Sequence, residues 1–486
     1  MPILLLILLI LSTLFLEQHQ YSFLKNISFL VFFLIFVFYS LIFIFYSKNL
    51  SFDFFLFFET SLEIFLLNLN IIFAIDTISL LFLILTSLVC FLSVFINWNF
   101  SFTKFKTFIL VLALLEIFLI LSFMSLNFLV FYFFFESTLI PMFFIISYWG
   151  SRSRKIHASY MFFFYTAFGS IFLLLGLFIL YSMFYTFDIR NIYLFKIDYE
   201  RQLALWLLFF IGFSVKVPLP PFHIWLPEAH VEAPTFGSMI LAGILLKLGS
   251  YGMLRFMLPV FNYANFFFAP AVYTLCIISI IYISALACRQ IDMKKIIAYS
   301  SIAHMSFVVI GLFSFSIEGV VGSIFLMLSH GLISAGLFAC IGILYDRYGT
   351  RLTFYYNNVA QNMPIFSTFF FLFILSNIGF PLTSGFIGEF LICISAAQIN
   401  LLMTLFLVFS IVLTAVYCFT LFNHVIFSRN NFFDITGFAH KDLTKPEFFL
   451  LIYLFFFILF LGIYPSILTD KLIIFSEYYL FKNLIN

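Results

Sequence analysis

The sequence predicts an all-α polytopic protein that crosses a membrane about fourteen times. Hydrophobic residues make up 64% of the chain and charged residues only 9%, which is far too apolar a balance for a water-soluble domain. Apolar runs of about 18 residues or more recur from end to end, and that is the length a helix needs to span a bilayer. The net charge of +2 gives no reason to expect a nucleic-acid partner.

The candidate membrane spans follow the apolar runs in chain order. They cover residues 2–16, 28–46, 77–97, 107–122, 124–147, 160–185, 203–221, 236–257, 267–288, 296–313, 317–344, 367–395, 399–427 and 447–468. The apolar stretch at 52–74 is not counted among them, because Asp53, Glu59 and Glu63 interrupt it. We expect that stretch to lie at the membrane interface.

Two of these spans contain prolines that a continuous helix does not accommodate. Pro218, Pro220 and Pro221 interrupt span 7, and Pro381 interrupts span 12. Proline lacks the N–H that the helix needs and clashes with the preceding turn. A broken helix at membrane depth is tolerated only where protein or a water-filled cavity covers the freed backbone groups. Spans 7 and 12 are therefore predicted to be broken helices inside the bundle.

The two breaks occupy matching places in two consecutive sets of five spans, 4–8 and 9–13. Paired interrupted helices of this kind are typical of transporters built from two inverted five-helix repeats. The predicted organisation has four parts: helices 1–3 in residues 1–105, a first repeat in 106–258, a second repeat in 259–427, and a C-terminal loop with helix 14 in 428–486.

The loops between spans differ in positive charge. The odd-numbered loops carry roughly twice as many Lys and Arg residues as the even-numbered loops and the C-terminal tail together. Because loops on the inner side of a membrane carry the excess of Lys and Arg, the odd loops are predicted to lie inside. Both termini are then predicted to lie outside.

Six ionisable residues within the predicted spans are the candidate functional residues: Glu136, Lys216, Lys247, His304, His330 and Glu389. A charged side chain at the bilayer centre costs about 2.5–3.5 kcal/mol on insertion scales, so such residues usually pair inside the bundle and mark ion or proton paths. A neighbouring carboxylate favours the charged form of a lysine while burial opposes it, and the two effects together suit a proton relay. Histidine titrates near physiological pH without any perturbation.

Structural alternatives remain open for these residues. The Glu136–Lys216 pair could only hold helices together, Lys247 could extend towards the interface, and the two histidines could be neutral packing residues. Glu389 could pack against its helix break. Glu116 fits a structural and a relay role equally, and four residues of the first break fit either backbone hydrogen bonding or a water-lined gate: His223, Trp225, Glu228 and His230.

No cofactor site is expected on this chain. The six cysteines are scattered through apolar runs without zinc or iron–sulfur spacing, and neither a dinucleotide-binding glycine motif nor a phosphate-binding loop is present in the sequence.

Asp76 precedes span 3 and is predicted to cap its helix.

The segment that runs from Lys216 to Lys247, KVPLPPFHIWLPEAHVEAPTFGSMILAGILLK, resembles the antiporter-like subunits of proton-pumping NADH:quinone oxidoreductase, complex I. The segments FYFFFESTLIPMFFIISYWGSR, CRQIDMKKIIAYSSIAHMSFVVIG and MLSHGLISAGLF fit the same family in the same order, so the resemblance covers roughly 76–425. It is strongest to mitochondrial members, and Glu389 stands where two other subunits of the family carry a lysine.

The resemblance implies roles for the six residues. Glu136 and Lys216 would form the family's carboxylate–lysine pair, and Lys247 would be the central lysine. His304 and His330 would bridge a hydrated path to Glu389 as the outer terminal residue. The chain would be a proton-translocating part of NADH:ubiquinone reductase, with the redox cofactors in other subunits.

The resemblance also implies partners and a location. The partners are other membrane-arm subunits, especially neighbouring antiporter-like ones, and membrane lipids. The location is the mitochondrial inner membrane, with both termini in the intermembrane space. Two alternatives are a subunit of a multi-subunit cation/proton antiporter and a non-pumping assembly scaffold.

Overall fold

The computed structural model describes the backbone of residues 1–17, 20–46, 55–64, 67–98, 101–356, 358–427 and 441–485. Within these residues, eleven helices are long and apolar enough to cross a membrane. The other predicted spans are also helical: span 1 is Pro2–Phe15, span 7 begins with Tyr199–Lys216, and span 12 is the pair Pro364–Ile378 and Ser384–Ile399. The prediction of a polytopic helical membrane protein is confirmed.

The first half of the chain contains thirteen of the α-helices in the described residues: α1 Pro2–Phe15, α2 Tyr21–Tyr46, α3 Thr77–Ile96, α4 Phe102–Met124, α5 Phe128–Ser137, α6 Leu139–Trp149, α7 Lys155–Phe184, α8 Ile189–Ile192, α9 Tyr199–Lys216, α10 Trp225–Glu232, α11 Thr235–Ile240, α12 Leu246–Gly252 and α13 Leu258–Val260. Two π-helical segments, Leu241–Leu245 and Met253–Met257, join α11, α12 and α13 into span 8.

The second half continues with nine more: α14 Asn262–Cys288, α15 Met293–Leu312, α16 Ile317–Tyr348, α17 Val359–Asn362, α18 Pro364–Ile378, α19 Ser384–Ile399, α20 Leu401–Ile426, α21 Lys445–Ile463 and α22 Ser466–Ile485. A short 3₁₀ turn, Thr353–Tyr355, precedes α17. The sequence does not predict α22 as a helix, because Asp470, Lys471 and Glu477 interrupt its apolar character.

Residues 55–75 depart from the all-α prediction. Their backbone forms two antiparallel strands, β1 Phe55–Ile64 and β2 Leu67–Ile75. The segment is rich in Phe and Ile, which fit a pleated strand. Because the two strands hydrogen-bond to each other, their backbone groups are satisfied without a helix. The position of this segment at the interface stays a prediction.

Both predicted helix breaks are present. In span 7, α9 ends at Lys216 and α10 begins at Trp225, with the prolines between them. In span 12, α18 ends before Gly379, which has a φ of 78°, and α19 begins at Ser384. The prolines remove helix hydrogen bonds in both stretches, as expected.

The chain forms two compact units. Unit 1 contains Met1–Val217, Ile244–Phe268 and Ile474–Asn486, and unit 2 contains Pro218–Gly243 and Ala269–Ile473. In unit 1, the rings of Phe82, Phe123 and Tyr251 pack together between spans 3, 4 and 8. The Tyr251 hydroxyl also donates to the Phe123 carbonyl at 3.0 Å.

Helix α16 forms the centre of unit 2, and it is buried at every position from Gly319 to Leu344. Helices α15 and α19 pack against it. A Cβ added to Gly388 of α19 would lie 2.8 Å from Leu326 Cβ, so the glycine allows the two helices to approach closely. This packing positions His304 on α15, His330 on α16 and Glu389 on α19.

Within each unit, polar contacts join two even-numbered loops or two odd-numbered loops. In unit 1, Arg255 at the end of span 8 pairs with Asp76 before span 3, which connects two even loops. In unit 2, Lys295 Nζ lies 2.9 Å from Glu228 Oε1, which connects loops 9 and 7. Loops of one parity must share a membrane face if every intervening span crosses, so these contacts agree with the predicted span order.

Candidate functional site

The first break places Lys216 against α5. Lys216 is 5% exposed, and its Nζ donates a hydrogen bond of 2.7 Å to the carbonyl oxygen of Phe135. The same Nζ lies 3.3 Å from the centroid of the Phe135 ring. A backbone carbonyl and an aromatic face both stabilise a cation that has lost its water. Phe135 therefore provides a site for a charged lysine within an apolar bundle.

Glu136 lies next to this site, as the sequence predicts. Its Oε1 is 3.9 Å from Lys216 Nζ, which is close enough for electrostatic attraction but too long for a hydrogen bond. This buried oxygen accepts no hydrogen bond from any other group in the described residues. The pair is consequently an ion pair held loosely, since the strong hydrogen bond of Lys216 goes to Phe135.

Lys247 lies on α12, the short helix between the two π-helical segments of span 8. Its side chain is 0% exposed. Gly249 brings α12 against the end of α9, because a Cβ added there would lie 3.1 Å from Lys216 Cβ and 2.7 Å from Val217 Cγ2. Single-turn π-helical segments occur often at functional sites. The sequence gives no signal for them, because an i→i+5 hydrogen bond leaves the hydropathy pattern unchanged.

In unit 2 the structure brings together His304, His330 and Glu389. His304 Nδ1 lies 3.1 Å from Glu389 Oε1, and the two side chains are 6% and 8% exposed. The ring of His330 is 5.6 Å from that of His304. A small cavity between these three side chains and Asn377 has room for roughly one water molecule. The three residues can exchange a proton by direct contact or through one water.

Gly379 at the second break is part of the same arrangement. Its φ of 78° favours glycine, and a Cβ added there would lie 2.6 Å from Glu389 Oε2. The broken span thus leaves space for the carboxylate, which explains physically why the break and the acid occur together.

The six predicted residues therefore form two arrangements. Glu136 and Lys216 meet in unit 1, with Lys247 on the helix packed against α9. The other three meet in unit 2, where His304 contacts Glu389 directly. A continuous path that includes all six stays a prediction.

The sequence treats several other charged residues as ordinary loop residues, and the structure buries them. Arg255 pairs with Asp76, which caps α3 through a 2.9 Å hydrogen bond from Ser79 N, as predicted. Burial raises the pKa of the Asp76 carboxyl, but Arg255 and Ser79 outweigh this effect and hold the pKa below its ordinary value. One sequence signal could have predicted this pair. Arg255 and Asp76 carry opposite charges and lie at span ends next to even-numbered loops, which are predicted to lie on the same side of the membrane.

Glu116 stays unassigned. It is 0% exposed on α4, and neither carboxylate oxygen has a hydrogen-bond partner in the described residues.

Comparisons with known proteins address the class of the protein. The family described as NADH:quinone oxidoreductase/Mrp antiporter, TM, matches residues 125–414. A chain in the structure of respiratory complex I from Thermus thermophilus with bound NADH is 24% identical, with a TM-score of 0.87 over 99% of both chains. A chain of the Mrp complex from a Dietzia species is 16% identical, with a TM-score of 0.84 over 99% of both. The fold is therefore that of the antiporter-like membrane subunits.

Curated relatives narrow the class. NADH-ubiquinone oxidoreductase chain 4 of Acanthamoeba castellanii is 50% identical over 84% of this chain and 83% of that protein. The chain 4 protein of Chondrus crispus is 48% identical over 87% of this chain and 86% of that protein. The chain belongs to the NADH-ubiquinone oxidoreductase chain 4 family.

Proposed function

We propose that this chain translocates protons as an antiporter-like subunit of the membrane arm of respiratory complex I. It acts together with other subunits of that complex, which carry out electron transfer from NADH to ubiquinone and hold the redox cofactors. The observation that supports this function most directly is the pairing of ionisable side chains, buried or half-buried, beside both broken spans in a member of the chain 4 family.

The loose Glu136–Lys216 pair supplies a way to control Lys247. While Lys216 is held by Glu136, its charge is compensated, and when it is released it acts on Lys247 as a second cation. Two like charges about 6 Å apart at an effective dielectric of about 20 repel by roughly 3 kcal/mol, or about a hundredfold in protonation equilibrium. That repulsion suffices to move a proton from Lys247 towards His330, His304 and Glu389.

The wider arrangement belongs to the same proposal. Residues 106–258 and 259–427 form the two inverted five-helix repeats, and the six relay residues line one path near the membrane midplane. The chain lies in the mitochondrial inner membrane with both termini in the intermembrane space, as the distribution of Lys and Arg supports. Neighbouring antiporter-like subunits and lipids cover its apolar surface.

The alternative functions are not favoured. The fold alone does not separate complex I from a cation/proton antiporter, because both solved structures match it. The 45–50% identity to chain 4 proteins favours complex I. A purely structural scaffold does not explain why ionisable groups occur at both breaks, where apolar residues would avoid the cost of burial.

Glu389→Gln tests the proposal in the intact complex reconstituted into liposomes. The variant keeps the shape and hydrogen-bonding ability of the side chain, but its amide does not take up or release a proton at physiological pH. We expect an assembled complex with NADH-driven proton pumping reduced by about tenfold or more, the lower end of what proton-transfer groups contribute. Undiminished pumping in this variant would remove Glu389 from the path and, with it, this account of the relay.

A further inference from the structure

A second group of charged residues is buried in unit 2, away from the six relay residues. Glu232 ends α10, Lys294 lies in the first turn of α15, and Arg351 follows α16. They are 3%, 3% and 1% exposed, respectively. These three residues, here called the polar cluster, come from loops 7, 9 and 11, so they share one membrane face if the predicted spans cross.

The charges in the polar cluster are incompletely satisfied by protein. Arg351 Nη2 lies 3.6 Å from Glu232 Oε1, which is beyond hydrogen-bond distance. In the described residues, no protein group hydrogen-bonds to Arg351 Nε, Nη1 or Nη2, or to Glu232 Oε2. Buried charged groups need hydrogen-bond partners. The geometry suits water between carboxylate and guanidinium.

The polar cluster is close to the surface of unit 2. Lys294 Nζ donates to the Ala233 carbonyl at 2.7 Å, which ties α15 to the end of α10. Asp346, an exposed residue near the end of α16, acts electrostatically on Lys294. One turn before Glu232, Glu228 pairs with Lys295, and these two side chains are 33% and 29% exposed. Charged side chains therefore extend from the polar cluster to the surface of unit 2.

The polar cluster lies at the ends of the helices that carry the histidines of the relay. Lys294 and His304 both lie on α15, about 15 Å apart at 1.5 Å per residue. His230, on α10 with Glu232, stacks on Phe338 of α16 with ring centroids 4.7 Å apart. Phe338 lies about 12 Å along α16 from His330, on the side towards Arg351. A buried titratable ring thus lies between the polar cluster and His330.

We infer that the polar cluster is a hydrated proton-uptake site, and that His230 passes protons from it towards His330. This inference rests on the proposed function. A proton from water bonds to Glu232, and the water keeps the electron pair. The proton then passes to one nitrogen of His230, and the other nitrogen gives its own proton to a water molecule that carries it towards His330. Residues two apart on a helix face different sides, so water bridges Glu232 and His230.

The cations of the polar cluster make Glu232 give up its proton readily. Protonation of Glu232 removes the only negative charge among the three residues, so that Asp292 and Asp346 are the acids left to compensate Lys294. The uncompensated positive charge lowers the affinity of Glu232 for the proton and favours its release. Release towards His230 restores the carboxylate, which is again ready for uptake.

The first test compares Glu232→Gln with Glu200→Gln in reconstituted complex I. Glu232 is buried in the polar cluster, whereas Glu200 is exposed at the start of α9. We expect Glu232→Gln to reduce proton pumping by about tenfold or more and Glu200→Gln to leave it unchanged. Full pumping in an assembled Glu232→Gln complex overturns the inference.

A second variant separates proton uptake from a structural role. Removing one partner of a buried pair destabilises, whereas replacing both by apolar residues of similar volume is often neutral. The double variant Glu232→Met/Arg351→Met should therefore assemble and still fail to pump. If the double variant pumps normally, the pair is only structural and the inference is wrong.

His230→Gln decides the second part of the inference. We expect reduced pumping with normal assembly, and normal pumping excludes His230 as a carrier. Glu389→Gln, measured in the same preparation, keeps the two proposals distinct. If it loses pumping while Glu232→Gln does not, only the uptake site is wrong; if it pumps fully, the proposed relay itself fails.

Discussion

At the scale of single residues, Lys216 has two partners with different strengths. The Phe135 carbonyl holds the ammonium by a 2.7 Å hydrogen bond, whereas Glu136 attracts it from 3.9 Å. Loss of the Glu136 charge should therefore leave Lys216 in place but remove the anion that compensates it. The Phe135 carbonyl positions Lys216 and Glu136 compensates its charge, so a mutation of Glu136 tests the second effect without the first.

Glu136→Gln uses this separation. We expect the complex to assemble, because Lys216 keeps its hydrogen bond to Phe135, and pumping to fall by about tenfold because control of the lysine charge is lost. The measurement is proton pumping per NADH oxidised in liposomes. Glu200→Gln, at the exposed start of α9, serves as the control. Loss of assembly in Glu136→Gln alone would instead support a structural role for the pair.

Gly379 allows a similar separation at the second break. Gly379→Ala should cost about 1 kcal/mol for its positive φ and should also push the Glu389 carboxylate away from His304. Gly349→Ala has the same backbone cost at a φ of 67°, but no atom lies within 4 Å of its added Cβ. We expect both variants to lower thermal stability slightly and only Gly379→Ala to impair pumping. Equal pumping in the two variants would contradict the role given to this contact.

At the scale of elements, the functional side chains occur where regular helix stops. Lys216 is the last residue of α9, Glu389 lies in the second turn of α19, and Lys247 lies between two π-helical segments. Broken ends expose backbone carbonyls and create space, and both help to solvate a buried charge. The Phe135 carbonyl plays the same part for Lys216 at the end of α5.

Gly249→Ala tests the packing of span 8 on the end of α9. The new Cβ would meet Val217 Cγ2 at 2.7 Å, so α12 must move away from Lys216. We expect weaker pumping with an intact complex, at a packing cost of about 1–3 kcal/mol. The double variant Gly249→Ala/Val217→Ala removes the clashing methyl group and should recover part of the activity. If the double variant is as impaired as the single one, this contact does not position Lys247.

At the scale of the whole molecule, the sequence predicts what depends on transfer from water to lipid. Hydropathy and local backbone chemistry predict the span positions, the two proline breaks, the Asp76 cap and the six ionisable residues within the spans. Hydropathy does not predict the β1–β2 pair, the π-helical segments or α22, because it does not depend on which backbone groups hydrogen-bond to each other. The Glu232–Arg351 pair could not be predicted either, since loop charges become buried only when distant loops meet.

Odd-numbered and even-numbered loops are predicted to lie on opposite sides of the membrane, and a native cysteine allows a test of that orientation. Cys288 ends α14 at the start of loop 9, and it is exposed, whereas the other five cysteines are buried or half-buried. Because loop 9 also carries Arg289, Lys294 and Lys295, it lies on the matrix side in the proposed orientation. A membrane-impermeant maleimide should therefore label Cys288 only in vesicles whose matrix face is outward.

Lys196→Cys provides the matched control, because Lys196 is exposed in loop 6, an even loop. It should be labelled only in vesicles of the opposite orientation. Labelling of Cys288 from the intermembrane-space side would reverse the proposed orientation and move the uptake site to the other face. Labelling of both positions from the same side would contradict the span order itself, because an odd number of crossings separates loop 6 from loop 9.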